Sequence, residues 1–307
     1  MQMHPILYFL PENLQRELCG MDQGTLKHVE EIRIRIGRPV EIVMQSETRC
    51  LSFVPTVSDR QYIAEKISQH SFYSLEEEMK KGYITIEGGH RIGIAGKVVL
   101  ENGRVQSVHS ISSFAIRKAA ELIGCSAPFM HHLYDQKQQR FKHCLLVGPP
   151  KSGKTTLLRD MARSISTGSR EKGFSMPAKK VAIVDERSEI AACHNGIPQL
   201  TFGTKVDVLD RCPKIEGISM MIRSMSPEVM VVDEVGHEKD IEAVMDAMFT
   251  GVTLLMTAHA QSVEELMRRP LMDKLIQSEL IHFIECSSRG YSLFRGKDEV
   301  MYVERVS

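Results

Sequence analysis

The residues Gly148-Pro149-Pro150-Lys151-Ser152-Gly153-Lys154-Thr155-Thr156 follow the spacing G-x-x-x-x-G-K-[ST]. This is the spacing of a loop that cradles phosphate. Gly148 and Gly153 let successive backbone N–H groups turn inward around an anion, and a helix beginning there adds its partial positive charge. Lys154 is expected to bridge β- and γ-phosphates and Thr155 to offer its hydroxyl to Mg²⁺. The motif needs a strand before it and a helix after it. Cys144-Leu145-Leu146-Val147 is apolar throughout, and residues 156–165 (TLLRDMARSI) carry a helical pattern. All nine residues are therefore candidate nucleotide contacts, with ATP and Mg²⁺ as the cofactors.

A nucleotide loop also needs carboxylates. Residues 227–236 (PEVMVVDEVG) place Asp233 and Glu234 at the end of a four-residue apolar run, where a strand's C-terminal end would face the phosphates. Asp233 is expected to hold Mg²⁺ through water, and Glu234 to orient or deprotonate the attacking water. A further acidic cluster, Asp185, Glu186 and Glu189 with Arg187, follows the apolar residues 181–184. Residues 250–260 (TGVTLLMTAHA) then put Thr257 and His259 at the end of another apolar strand, with His259 able to sense a γ-phosphate by hydrogen bonding. Taken singly, such acids are usually a strand leaving the core, and such a histidine is usually structural. Several strand ends converging on one phosphate loop favour chemistry. Thr155, Asp233 and Asp185 are thus the candidate metal ligands, and Lys154, Glu186, Glu234 and His259 the candidate catalytic residues.

The elements that must position these residues are legible in outline. From Cys144 onward, short all-apolar strands alternate with helical stretches, which predicts α/β architecture with a parallel sheet covered on both faces. The earlier part reads as α+β. In residues 30–44, Ile32, Ile34 and Ile36 alternate with Arg33 and Arg35 as in a half-buried strand, and Gly37-Arg38-Pro39 breaks it. Residues 58–81 read as helical, with Ser74 and Glu77 as a capping box and Gly82 as terminator. Residues 83–111 read as strands, with Asn102-Gly103 a hairpin signal. Residues 120–140 read as polar and helical, and residues 166–180 as a polar surface loop. The expected domains are residues 1–125 and 126–307.

Composition excludes several classes. The 307 residues are 42% hydrophobic and 25% charged, which is globular usage. Lys plus Arg and Asp plus Glu both number 39, so no bulk positive field exists for coating nucleic acid. The longest apolar runs fall far short of the ~20 residues of a membrane helix, and no secretory signal is visible. Direct membrane insertion is not expected. Seven scattered cysteines without a CxxC pair read as free thiols in a reducing cytoplasm.

The order of phosphate loop, Asp185-Glu186, PEVMVVDEVG with Asp240 and Glu242 behind it, and TGVTLLMTAHA resembles the secretion and pilus-motor ATPases. Within that superfamily, IRIRIGRP, EGGHRIGIAGKV, VDERSEIAAC, DVLDRCPKIEG and IRSMSPEVMVVDEVG are similar to the stage III sporulation protein AA family of endospore-forming bacteria. This resemblance covers about residues 30–285. It implies a RecA-like motor domain after a smaller α+β domain, and a homo-oligomer, expected to be a hexamer. It also implies a cytoplasmic place in the mother cell, at the base of a channel of membrane-embedded sporulation proteins leading to the forespore. Ring ATPases of this kind complete each site with basic residues, for which Arg91 and Arg117 are the first candidates; Arg187, Arg211 and Arg223 lie within the motor domain. There are departures: Asp233 stands where such relatives often have Gly, and their four-cysteine zinc motif is absent. The alternatives are a nucleotide-gated assembly component with little turnover, or a nucleic-acid-stimulated motor. The neutral charge and the lack of tryptophan weigh against the latter.

Overall fold

A computed structural model describes residues 4–44, 47–68, 79, 82–101, 103–171, 174–272, 275, 281–295 and 298–304. The chain packs as two units, Met1–Ala120 with Ala192–Gln199, and Glu121–Ala191 with Leu200–Ser307.

The first unit has helices α1 (His4–Leu7), α2 (Glu12–Cys19), α3 (Gln23–Lys27) and α4 (Val57–Ser68). Its strands are β1 (Val29–Arg35), β2 (Glu41–Met44), β3 (Thr48–Cys50), β4 (Tyr83–Thr85), β5 (Arg91–Glu101) and β6 (Arg104–Arg117). The strands form one antiparallel sheet in the order β3-β2-β1-β6-β5-β4. Alternation sorts its faces. Ile32, Ile34, Ile42, Ile92, Phe114 and Ile116 are buried against Leu14 and Leu18 of α2 and Ile63 and Ile67 of α4. Glu31, Arg33 and Arg35 point to the other face. The segment 192–199 belongs to this unit through Gly88 N–H donating to Gln199 Oε1 (2.9 Å) and through His194 Nδ1, 3.2 Å from the Thr85 carbonyl. Gly82 and Gly103 both have positive φ (+81° and +75°), as turn glycines do. The Ser74–Glu77 capping box and Asn102 lie outside the described residues.

The second unit begins with α5 (Ala127–Leu133), followed by the short hairpin β7 (Tyr134–Asp135) and β8 (Arg140–Phe141). The polar stretch from Asp135 is a turn and not a helix. Asp135 Oδ1 accepts from the N–H groups of Lys137 (2.8 Å) and Gln138 (3.0 Å), competing with helical pairing. Next come β9 (His143–Gly148) and α6 (Lys154–Thr167), then the hairpin β10 (Ser169–Glu171) and β11 (Phe174–Met176). That hairpin replaces the expected polar loop, because Phe174 and Met176 alternate into the core.

The remaining elements are β12 (Val181–Asp185), β13 (Val206–Asp210), α7 (Lys214–Met225), β14 (Val229–Val232), α8 (Glu238–Phe249), β15 (Thr253–His259), α9 (Val263–Met267), β16 (Ile281–Cys286), β17 (Gly290–Arg295) and β18 (Asp298–Glu304). They build one sheet with β9, in the order β13-β12-β14-β15-β9-β16-β17-β18. It is parallel from β13 to β16 and antiparallel at β17 and β18. Successive strand residues enter opposite cores, as the all-apolar strands require. Leu146, Ile183, Val231 and Leu255 pack with Leu157, Leu158 and Met161 of α6. Leu145, Val184, Val232 and Met256 pack with Ile218 and Met221 of α7 and Ile241 and Val244 of α8. Each such fully buried side chain contributes roughly 1.5–3 kcal/mol. Among the described residues no helix is long and apolar enough to cross a membrane.

Candidate functional site

β9 runs between β15 and β16 and ends at Gly148, so the phosphate loop opens at the C-terminal edge of the sheet. A Cβ on Gly148 would lie 2.4 Å from the Cys286 carbonyl oxygen and 2.5 Å from Ser152 Oγ, which leaves glycine as the residue that fits. Gly153 takes φ +87° just before α6, and Lys151 takes φ +63°. Ser152 Oγ is buried and has no hydrogen-bond partner among the described residues. A loop closed too tightly at Gly148 for a methyl, an orphaned buried hydroxyl and a 14-residue helix behind it fit a phosphate group.

Lys154, the first residue of α6, is 5% exposed. Its ammonium donates to the carbonyls of Gly148 and Pro149, each at 2.8 Å, and stands 3.3 Å from His259 Nδ1. Burial lowers its pKa, while Cys286, Asp233 and Glu234 pull in the opposite direction. Among the described residues no carboxylate forms an ion pair with it. Thr155 Oγ1 donates to Asp233 Oδ2 at 3.2 Å, and Thr257 Oγ1 donates to Asp233 Oδ1. This Thr155–Asp233 pair is an oxygen set suited to Mg²⁺ that keeps most of its ligands from water and phosphate.

Glu234 sits at φ +56°, a left-handed conformation that costs a non-glycine residue roughly 1–3 kcal/mol. Its N–H donates to Thr257 Oγ1 at 2.8 Å, and its carbonyl accepts from Lys214 Nζ at 3.0 Å. Its carboxylate pairs with Arg187 at 2.5 Å and lies 3.7 Å from His259 Nε2. The structure thus brings Lys154, Thr155, Asp233, Glu234, Thr257 and His259 into one connected set.

It treats the other acidic strand end differently. Asp185 Oδ1 accepts from Glu189 N–H (2.8 Å), and Oδ2 accepts from Ile190 N–H (2.9 Å) and Ala191 N–H (2.8 Å). Through both oxygens Asp185 anchors the loop after β12. Its burial pushes the carboxyl up to about 6 despite those bonds. Glu186 faces Lys214 Nζ at 3.1 Å and not the phosphate loop's lysine. Arg91 and Arg117 lie opposite one another on β5 and β6 of the first unit. Arg117 pairs with Glu31 at 3.1 Å, and the Arg91 guanidinium stacks 4.7 Å over the Tyr83 ring. Arg223 lines a groove of about 490 Å³ between α7 and α8, and Arg211 lies 3.4 Å from Asp210.

Two residues escaped the sequence reading. Arg159 of α6 donates to the Ile190 and Glu189 carbonyls, both at 2.7 Å, tying the Asp185 loop to the phosphate-loop helix. Lys214 is a buried lysine in the first turn of α7, where the helix dipole opposes a positive charge by roughly 0.3–1 kcal/mol. That misplacement was the signal available in the sequence.

The family model described as "Sporulation stage III, protein AA" matches residues 3–287. "Stage III sporulation protein AA" of Bacillus subtilis (strain 168) is 47% identical over 273 residues, covering 89% of this chain and 87% of that protein. Among solved structures, the Legionella pneumophila ATPase DotB matches at TM-score 0.59 and 16% identity, over 90% of this chain and 76% of that one. The pilus retraction motor PilT with bound ADP matches at TM-score 0.59 and 15% identity, over 88% and 80%. These likenesses establish the fold: a mixed α/β architecture of the RecA-like ATPase type, with parallel strands at its centre.

Proposed function

Since the chain belongs to the Sporulation stage III, protein AA family, we propose that it is an Mg²⁺-dependent ATPase that energises a membrane complex during endospore formation. One observation carries the reading: a buried Lys154 ammonium, held among the described residues by loop carbonyls and His259, lies beside the Thr155–Asp233 pair and Glu234. Residues 148–156 would bind the nucleotide's phosphates, and Thr155 with Asp233 would hold Mg²⁺. The bound metal would neutralise charge on the β- and γ-phosphate oxygens. Lys154 Nζ exchanges the Gly148 and Pro149 carbonyls for phosphate oxygens. Glu234, released from Arg187, takes a proton from the attacking water on a carboxylate oxygen. His259, between Lys154 and Glu234, registers whether a γ-phosphate is present. Arg91 and Arg117 are the proposed basic residues completing a neighbouring site in a homo-oligomer, hexameric by the resemblance. Membrane attachment would come through membrane-embedded sporulation channel proteins on the mother-cell side.

The Arg187–Glu234 ion pair favours a second reading, because it occupies the base. On that reading the chain binds nucleotide to assemble and turns over little. Phosphate release and solution mass, measured with and without Mg·ATP, separate the two. The ATPase reading expects turnover abolished by Lys154→Ala, and abolished by Glu234→Gln with nucleotide binding retained. Normal hydrolysis by Glu234→Gln would overturn the assignment of the base. Nucleotide-dependent assembly without turnover would support the second reading.

A further inference from the structure

Lys214 takes no part in the steps above, yet it stands where two acidic strand ends meet. Its ammonium donates to the Glu234 carbonyl (3.0 Å) and to Glu186 Oε2 (3.1 Å), and lies 3.7 Å from Asp240 Oδ2. Asp240, also buried, accepts from the N–H groups of Gly236 (3.2 Å) and His237 (3.1 Å). Lys214 and Asp240 therefore hold the start and the end of the turn that leaves β14. The strained residue of that turn is Glu234 itself, at φ +56°. A left-handed glutamate persists only where its surroundings over-determine it. Thr257 grips the Glu234 N–H from one side, and Val235 N–H donates to the Thr257 carbonyl at 2.7 Å. On the other side the Glu234 carbonyl is held by Lys214.

We propose that Lys214 is a positioning residue that sets the backbone of Glu234, and with it the direction of the carboxylate, and that ties this placement to Glu186 at the end of β12. The inference rests on reading Glu234 as the base. A lysine suits the task because one ammonium can donate to a carbonyl and a carboxylate at once while its charge stays within ion-pair range of a second carboxylate. Its charge is compensated by Glu186 and Asp240, which makes its burial tolerable.

The test compares Lys214→Met, which cannot donate, with Lys214→Gln, whose amide can still reach the Glu234 carbonyl. Lys214→Met is expected to lower kcat on the order of 10- to 100-fold, with KM and nucleotide Kd little changed. Lys214→Gln is expected to recover much of that loss. Hydrogen exchange over residues 233–237 is expected to accelerate in the Met variant and not in the Gln variant. An unchanged kcat in Lys214→Met overturns the proposal, as does equal loss of kcat and nucleotide affinity in both variants. Should the Met variant fail to fold, the Gln variant decides: wild-type exchange with near wild-type kcat supports the proposal, and collapsed nucleotide affinity overturns it. Should the wild-type chain hydrolyse nothing, the ATPase reading fails on its own account. The exchange measurement then settles the positioning claim, and unchanged protection at 233–237 in Lys214→Met sinks it.

Discussion

The two units handle polarity in opposite ways. Among the described residues, the first unit buries only Thr85 and His90 of its polar side chains, whereas the second buries Lys154, Asp160, Asp185, Lys214, Asp240 and Thr257 among others. The difference follows from the sheets. An antiparallel sheet with one face in water sends charges outward at every second residue, so its arginines and glutamates never meet the core. A parallel sheet covered on both faces has no such outlet along its strands. Its charges gather at the strand ends, where each must find a partner on the next element. A crowded set of buried, mutually satisfied charges is thus what this architecture produces, and a phosphate site is one use of it.

The sharpest way to break this comparison is Gly148→Ala. The added methyl would meet the Cys286 carbonyl at 2.4 Å, so a loss of roughly 3 kcal/mol and of nucleotide binding is expected, read by denaturant titration and a nucleotide-binding assay. Wild-type affinity in that variant would mean the loop is not seated by β16. Next is Asp160→Ala on α6. Asp160 accepts from Gly124 N–H (3.0 Å), Ser126 N–H (2.8 Å) and Arg163 Nε (2.7 Å). Breaking this buried group should cost about 3 kcal/mol. The exposed Glu12–Arg16 pair of the first unit, at 3.0 Å, should be worth less than about 1 kcal/mol when removed. Equal costs would erase the contrast between the units.

Acidity gives a third, smaller effect whose sign differs between the two groups. Burial, aided by Lys118, lowers the pKa of His90, and His90 Nδ1 accepts from Ala119 N–H at 2.9 Å. The unfolded chain binds more protons there, so the His90 contribution is lost as pH falls below about 6.5. Asp185 is raised to about 6, so the folded chain binds more protons, and its term improves stability as pH falls from about 6 toward 4. Unfolding curves between pH 5 and 7.5 should flatten in His90→Asn and steepen toward acid-induced loss in Asp185→Asn. Identical slopes for both variants would refute the assignment. The smallest effect expected is Gly93→Ala on β5, where the new methyl meets Ala115 Cβ at an ordinary 3.6 Å. A gain of up to about 1 kcal/mol is expected, measured by thermal melting.

What was legible in the sequence tracks how local each feature is. Ile32 and Ile34 alternate with arginines, and the runs at 181–184 and 229–232 are apolar throughout, so strand type and facing follow from neighbours alone. The phosphate loop is legible for the same reason, being nine consecutive residues. β13 was missed because it lies at the sheet edge, and Asp207 and Asp210 interrupt Val206, Val208 and Leu209 so that no apolar run forms. Asp185 and Asp233 look alike as letters, since each ends an apolar strand and precedes a glutamate. What separates them is the next few residues: 189–191 fold back so that three N–H groups meet Asp185, whereas Asp233 meets two threonine hydroxyls from α6 and β15. No spacing rule encodes that turn. Glu186 and Lys214, 28 positions apart, could be paired only through the fold.

The place of β9 in its sheet also bears on how the protein is made. This strand leaves the ribosome first among its sheet's members, but its two neighbours, β15 and β16, are among the later ones. At ~5–20 residues per second, on the order of ten seconds separate the synthesis of His143 from that of Ile281. For that interval the central strand waits with at least one bare edge, the state in which nascent chains most need a chaperone. The surroundings of Gly148 are completed equally late, because the carbonyl beside it belongs to Cys286. A nascent chain halted before Cys286 carries the whole phosphate-binding motif without that carbonyl beside it.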